Sequence, residues 1–432
     1  MNAEALRVLF VGAEFIWPPV TGGGIRTLSQ LRVLASLPDV ERVRFFSLRE
    51  SAVGLEDRQA LAREVAKVDV LEPLFHPIHL FAHPRYVPRV AWLRAVRRVP
   101  YLAGKWESPA VRAALERELR AHPCDVVWFG CLGMAWYLPL VRRLQPSARV
   151  VLDQHDVESD KFAQYARRQW GPGKLAAEAE WREARRFELQ TLREVDAVGA
   201  ICEDDARTYR RLAGVGALAV PQVVRFVRRS KRITVGPRLC YVGNLRWGPN
   251  VRGLDWFCQE VWPRVRARLP DATLEIAGTR LATDETGAPI VPRQWQAPGI
   301  TTLGFIPDLG PLYERSAAMV APSFDGTGVR LKLLEAFRNG VPVVTTPDGA
   351  AGLAVQSGRE AFVEADPAEF GDRVVRLATS AAEQARLREA AYAFLERHHS
   401  LAAAEAPARA LLGLTPPERT AFGVAEALRA SA

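Results

Sequence analysis

Between residues 321 and 345 the chain reads APSFDGTGVRLKLLEAFRNGVPVVT, which sets a glycine turn, two cations and a carboxylate within a few residues of one another. Gly326, Thr327 and Gly328 form a turn whose backbone can approach a ligand closely, and the residues after it have helix-forming composition up to a stop at Asn339 and Gly340. A turn that opens a helix presents unpaired N–H groups and the positive end of the helix dipole, chemistry suited to a phosphate or another anion. Arg330 and Lys332 add full charges at the same place. Glu335 follows Lys332 by three and shares its face, while Val329, Leu333, Ala336 and Phe337 make the stripe that must be buried. On these residues alone two readings stand, an anion site and a solvated Lys–Glu pair on an ordinary helix.

The elements that would position this stretch alternate between strand and helix. Leu6–Gly12, 40–48, 124–130 and 148–156 are near-continuous apolar runs of the kind buried on both faces of a parallel sheet, and helical stretches precede the last two. After the first run come Pro18–Pro19, three glycines at 22–24 and an amphipathic helix from about Ile25. The loop does not match GxGxxG, so a dinucleotide site is not indicated. His155 and Asp156 sit where the fourth run ends, and ligands collect at the carboxyl ends of such strands. A core or capping histidine is the other reading of His155. Asp153, Asp156 and Glu158 do not read as a metal site, because alternate strand residues point to opposite faces. Glu188 falls on the apolar stripe of a long helix over 178–195 and needs a partner there. A basic connection at 223–237 leads into a second strand–turn–helix–strand unit, whose Gly243, Arg246 and Asn250 face its strand-end crevice. Residues 279–299 lack periodicity and read as a surface loop, and 413–432 give no readable pattern.

The segment PSFDGTGVRLKLLEAFRNGVPVVTT resembles the donor site of the group 1 glycosyltransferases of GT-B fold, in the subset that writes a GTG turn, Arg, Lys and Leu-Glu-Ala. The resemblance covers about residues 6–410 and is strongest over 238–353. It implies an α/β fold of two Rossmann-like doubly wound domains facing a cleft: an acceptor domain over 1–225, a nucleotide-sugar donor domain over 235–395, and a helical segment from 396 that crosses back. It implies that Glu335 holds ribose hydroxyls, that Gly326, Thr327 and Gly328 face a diphosphate, and that Gly304, Phe305 and Ile306 lie beside the base. Gly22, Gly23 and Arg26 fit the family's cleft turn, and His155–Asp156 its strand end near the reacting centre. Most of the superfamily carries an acid eight residues before the Glu, where this chain has Thr327, with Asp325 two further back. The turn Gly243–Asn250 lacks the usual Arg and Lys, so Arg330 and Lys332 are the expected diphosphate cations, with Arg246 in reserve. The implied activity is a retaining, metal-independent transfer of a sugar from a nucleotide diphosphate sugar, a substrate, with no cofactor. Glycan, lipid-linked and small-molecule acceptors all fit. A nucleotide-sugar epimerase of the same fold and a non-catalytic sugar-nucleotide-binding protein are the alternatives.

Size and composition agree with two domains: 432 residues, 48% hydrophobic and 25% charged. The longest uncharged apolar run, Val126–Val141, falls short of the ~20 residues that span a bilayer. No leader pattern opens the chain, which implies a cytoplasmic location. Five cysteines without CxxC or Cys/His spacing read as small core residues. A net charge of +9 favours an anionic partner, but no nucleic-acid-binding motif appears, so nucleic acid is not expected. Residues 74–101 hold His76, His79, His83 and five arginines among aromatic residues, with no acid. They read either as a surface that touches an anionic membrane, peripherally on its inner face, or as a packed excursion with solvated arginines.

Overall fold

A computed structural model describes residues 5–77, 83–228, 236–279, 281, 290–325 and 328–414. Gly326, Thr327 and His79 lie outside the described residues. The first nine strands are β1 (Leu6–Val11), β2 (Val40–Phe46), β3 (Leu48–Arg49), β4 (Val68–Val70), β5 (Leu74–Phe75), β6 (Val126–Phe129), β7 (Arg149–Gln154), β8 (Ala197–Ala200) and β9 (Ala217–Ala219). Seven of them form a parallel sheet in the order β4-β2-β1-β6-β7-β8-β9, and β3 pairs with β5 beside it. The next six are β10 (Arg238–Asn244), β11 (Thr273–Thr279), β12 (Ile300–Gly304), β13 (Ala318–Ala321), β14 (Val343–Thr345) and β15 (Phe362–Val363). They form a second parallel sheet in the order β12-β11-β10-β13-β14-β15. The molecule is thus α/β, with two doubly wound sheets.

Each sheet is covered on both faces, which is why its strands read as unbroken apolar runs. Along β1, Leu9 and Val11 enter one core with Val127 and Phe129 of β6, while Val8 and Phe10 enter the opposite core with Val126 and Trp128. The second sheet divides in the same way, with Leu239 and Tyr241 in one core and Cys240 in the other. Strand order reverses between β1 and β6 in the first sheet and between β10 and β13 in the second, and a crevice opens beyond the strand ends at such a reversal. These two crevices set where the sites can be.

Three elements differ from the sequence expectation. The helix expected from about Ile25 begins at Gly22, because the Thr21 hydroxyl accepts from the Gly24 N–H at 2.9 Å and caps the glycine run into the first turn. Of the unpatterned block 279–299, residues 280 and 282–289 lie outside the described residues. Within it Trp295 is 1% exposed and donates to Asp255 at 2.7 Å, so it is a core anchor rather than loop surface. The last described helix, Leu401–Leu411, lies on the first domain, where Ala404, Ala408 and Leu411 share a core with Leu28 and Leu31, and Arg149 donates to the Leu411 carbonyl. Beside the connection between domains, Val224 donates to His399 O at 2.8 Å and a ring nitrogen of His399 lies 2.8 Å from Gln222 O.

Candidate functional site

At the first reversal, the ends of β1 and β6 and the residues after β7 line a pocket of about 330 Å³ that includes Glu14, Gly23, Lys105, Cys131, His155 and Lys161. His155 follows β7 and is half-buried, and its Nε2 makes no hydrogen bond to any described residue. Burial, then the nearby charges of Arg26 and Lys161, push its pKa down to about 3, so the imidazole is neutral at physiological pH. The loop after it is held from below by Glu188. That carboxylate, 1% exposed, accepts from the N–H groups of Glu158 and Ser159 at 2.9 and 3.0 Å and from the Gln154 amide at 3.3 Å. The partner required for Glu188 is therefore the start of the helix Glu158–Arg167. Burial nevertheless raises the Glu188 pKa to about 7.

Arg26 does not open onto the cleft. It is 1% exposed and its guanidinium lies 2.9 and 3.0 Å from both oxygens of the fully buried Asp153, so the expected cleft cation is a support behind His155. Asp153 accordingly points away from Asp156, whose carboxylate meets Lys161 Nζ at 3.3 Å.

At the second reversal the ends of β10 and β13 bring Gly243 and Asn250 beside Arg330 and Lys332. Arg330 is 5% exposed, donates to the Asp325 carbonyl at 3.0 Å and lies 5.1 Å above the Trp247 ring. Lys332 turns away from Glu335. Its Nζ donates to Asn250 Oδ1 at 3.0 Å and stands 5.0 Å over the Tyr241 ring. Burial first, then the Arg330 charge, lower the Lys332 pKa to about 7. Glu335 pairs instead with Arg338 at 3.0 Å and accepts from Asn339 at 3.2 Å. Arg246 is exposed, and its backbone N–H donates to Asn244 Oδ1 at 3.0 Å. Phe305 is 60% exposed beyond β12, and Ile306 packs partly into the core. Asp325 is engaged by Arg168 of the first domain at 2.7 Å and by Arg252 at 2.8 Å.

The two crevices face each other. Gly328 has φ +73°, and a side chain there would overlap Asp156 Oδ1 and come within 3.2 Å of the His155 carbonyl. A Cβ on Gly22 would lie 3.8 Å from Leu331 at the start of the opposing helix, Leu331–Arg338. The structure thus gathers Gly22, Gly23, His155, Asp156, Gly328, Arg330 and Lys332, with Gly243 and Asn250 behind them. Sequence reading missed Glu14, Lys105, Cys131 and Lys161. Glu14 and Cys131 stand just past the ends of β1 and β6, a placement the strand order would have marked. Among the described residues no group of three or more His, Cys, Asp and Glu side chains is disposed to hold a metal ion.

Residues 236–380 match the family model for glycosyl transferases group 1. A curated protein described as an uncharacterized 44.6 kDa protein in cps region, from Klebsiella pneumoniae, is 27% identical over 161 residues, 37% of this chain and 42% of that one. This chain thus matches less than half the length of that relative. Among solved structures, Anabaena HepE in complex with UDP-glucose is 14% identical, with a TM-score of 0.61 over 95% of this chain and 100% of that one. TarM is 10% identical, with a TM-score of 0.65 over 94% and 98%. Sucrose-phosphate synthase from Thermosynechococcus elongatus is 14% identical, with a TM-score of 0.61 over 93% and 96%. The fold is that of the GT-B proteins, two Rossmann-like domains about a cleft.

The Gly328–Asp156 approach can be tested directly. Gly328→Ala adds a methyl where Asp156 stands, in a backbone conformation that costs about 1–2 kcal/mol per L-residue. The variant is expected to open the cleft and show a larger radius of gyration in solution scattering, and Asp156→Ala in the same chain should restore part of the compaction. An unchanged radius in Gly328→Ala would show that the two do not meet in solution.

Proposed function

We propose that this chain is a glycosyltransferase that moves a sugar from a nucleotide diphosphate sugar to an acceptor hydroxyl with retention of configuration, in polysaccharide or glycoconjugate synthesis. The observation that carries the reading is the meeting of the His155–Asp156 strand end with the Gly328 turn that leads into Arg330 and Lys332. A diphosphate lying along that turn would meet the starts of the helices Gly22–Ser36 and Leu331–Arg338 and two cations, Arg330 buried and Lys332 half-buried. Cleavage of the bond between the anomeric carbon and the phosphate oxygen leaves both bonding electrons on the diphosphate. Groups fixed around it stabilise that growing charge more than they stabilise the ground state. Transfer then needs neither a metal ion nor a protein nucleophile.

Phe305 offers an exposed ring to the base, Glu335 a carboxylate to the ribose, and His155 Nε2 a neutral ring nitrogen to a sugar hydroxyl. Arg26 and Asp153 hold the strand end beneath. The neighbour crystallised with UDP-glucose supports a nucleotide-sugar donor, and the S. aureus TarM variant crystallised with fondaparinux, alpha-GlcNAc-glycerol and UDP supports a glycan or related acceptor.

Lys332 provides the sharpest test. Its pKa of about 7 lies below that of free lysine, so an arriving anion that restores the ammonium draws a proton from solution. Calorimetric titration with nucleoside diphosphates at pH 7.5, repeated in buffers of different ionisation enthalpy, should show uptake of roughly 0.5–1 proton, with affinity falling as pH rises above about 7. Lys332→Arg should bind without uptake. Binding with no proton uptake in the wild type would remove Lys332 from the diphosphate site. Sugar transfer in EDTA, with the product's anomeric configuration read by NMR, tests the remainder.

Peripheral contact with an anionic membrane is a second reading, supported by the helix Val87–Arg97. Tertiary neighbours supply acids that the segment itself lacks: Glu50 meets His83, Glu107 meets Arg89 and Glu180 meets Arg94. What remains outward is Trp92 at 52% exposure and Val96 at 62%, beside exposed Arg97 and Arg98. No helix among the described residues is long and apolar enough to cross a membrane. Flotation with anionic vesicles at low salt should carry the protein, and the pair Arg97→Glu and Arg98→Glu should abolish it. Wild-type protein that stays at the bottom of the gradient would leave the segment a packed excursion.

A further inference from the structure

We propose that the pocket beside His155 takes an acceptor bearing an anionic oxygen group, a carboxylate or a phosphate, held by Lys105. The proposal rests on the glycosyltransferase reading, in which this pocket receives the acceptor.

Of the two lysines lining the pocket, one is ion-paired and the other is not. Lys161 meets Asp156 and Glu158 at 3.3 and 2.9 Å. Glu14 accepts from the Thr21 hydroxyl at 2.6 Å. His155 is neutral. Lys105 alone has no carboxylate within ion-pair distance and no side-chain hydrogen bond among the described residues, although it lines the cavity. Its ammonium stands 4.3 Å over the Trp106 ring, a contact that offsets only part of the cost of leaving water. Burial lowers the Lys105 pKa from the ordinary lysine value, the direction expected for a cation short of an anion.

The site is built rather than incidental. Trp106 is 7% exposed, stacks on His76 with ring centroids 5.9 Å apart, and accepts through its carbonyl from the Tyr137 hydroxyl at 2.7 Å. Any side chain at Gly133 would overlap the Trp106 ring. The lysine therefore sits on a fixed floor, and Tyr101 and Phe162 complete walls that suit the carbon face of a sugar or polyol. An oxyanion entering here would give Lys105 its missing partner and leave a neighbouring hydroxyl directed toward His155 and the donor.

Two probe pairs test this on the full chain: glycerol 3-phosphate against glycerol, and glucuronic acid against glucose, each titrated by saturation-transfer NMR or calorimetry. At least one anion is expected to bind about tenfold or more tighter than its neutral partner, the scale of one charge-assisted hydrogen bond. Which pair shows the preference tells phosphate from carboxylate. Lys105→Met should erase the preference and Lys105→Arg retain part of it, with both variants checked for native thermal unfolding. Equal binding within both pairs, or a preference that survives Lys105→Met, would overturn the proposal. Nucleoside diphosphate binding measured on the same samples keeps the two ideas apart: its absence in the wild type counts against the glycosyltransferase reading, whereas the probe pairs report on Lys105 alone.

Discussion

The site depends on one close approach, the Gly328 turn of the second domain lying against Asp156 and the His155 carbonyl of the first. Only a residue without a Cβ can occupy that position at φ +73°, so a backbone requirement and an interdomain contact fall on the same atom. Everything chemical is arranged about it. Asp156 is held by Lys161, the loop behind it by Glu188, and the strand beneath by the Arg26–Asp153 pair, while the turn is held by Arg330, Arg252 and Asp348. Each domain spends buried polar groups on positioning one side of a narrow gap.

The electrostatics of that gap share a pattern. Lys332 and Lys105 are half-buried and set against aromatic rings, with no carboxylate at ion-pair distance among the described residues, and Arg330 is buried over a third ring. Desolvated cations are unfavourable until an anion arrives, and in a low-dielectric cleft the arriving charge is bound more strongly than it would be at a surface. His155 complements them by staying neutral, able to hydrogen-bond a hydroxyl without adding a charge. One crevice would then hold the anion released by the reaction, and the other an anion carried by the acceptor.

Much of the architecture was legible because parallel strands covered on both faces leave unbroken apolar runs, as in Val126–Phe129 and Ala318–Ala321. Glu188 could be read as a carboxylate in need of a partner because its place on an apolar stripe is a local signal. The identity of that partner was not local, since the helix start at 158–159 is some thirty residues away. The same limit explains Lys332. Spacing put it beside Glu335, but Asn250 and Tyr241 come from another strand end and outcompete that exposed pairing. Distant acids likewise answer the basic segment 74–101, so its lack of internal acids overstated its free charge. Gly22–Gly24 misled for another reason, because glycine weakens a helix and one capping threonine reversed that preference.

The central claim is that one anion site is built from both domains. Hydrogen–deuterium exchange on the full chain, with and without each common nucleoside diphosphate at saturating concentration, tests it most directly. Protection should appear together at residues 22–24 and 155–156 in the first domain and at 328–332 in the second, because closing the gap on a diphosphate shields both helix starts. Protection confined to one domain, or binding that leaves 328–332 exchanging as before, would contradict the account.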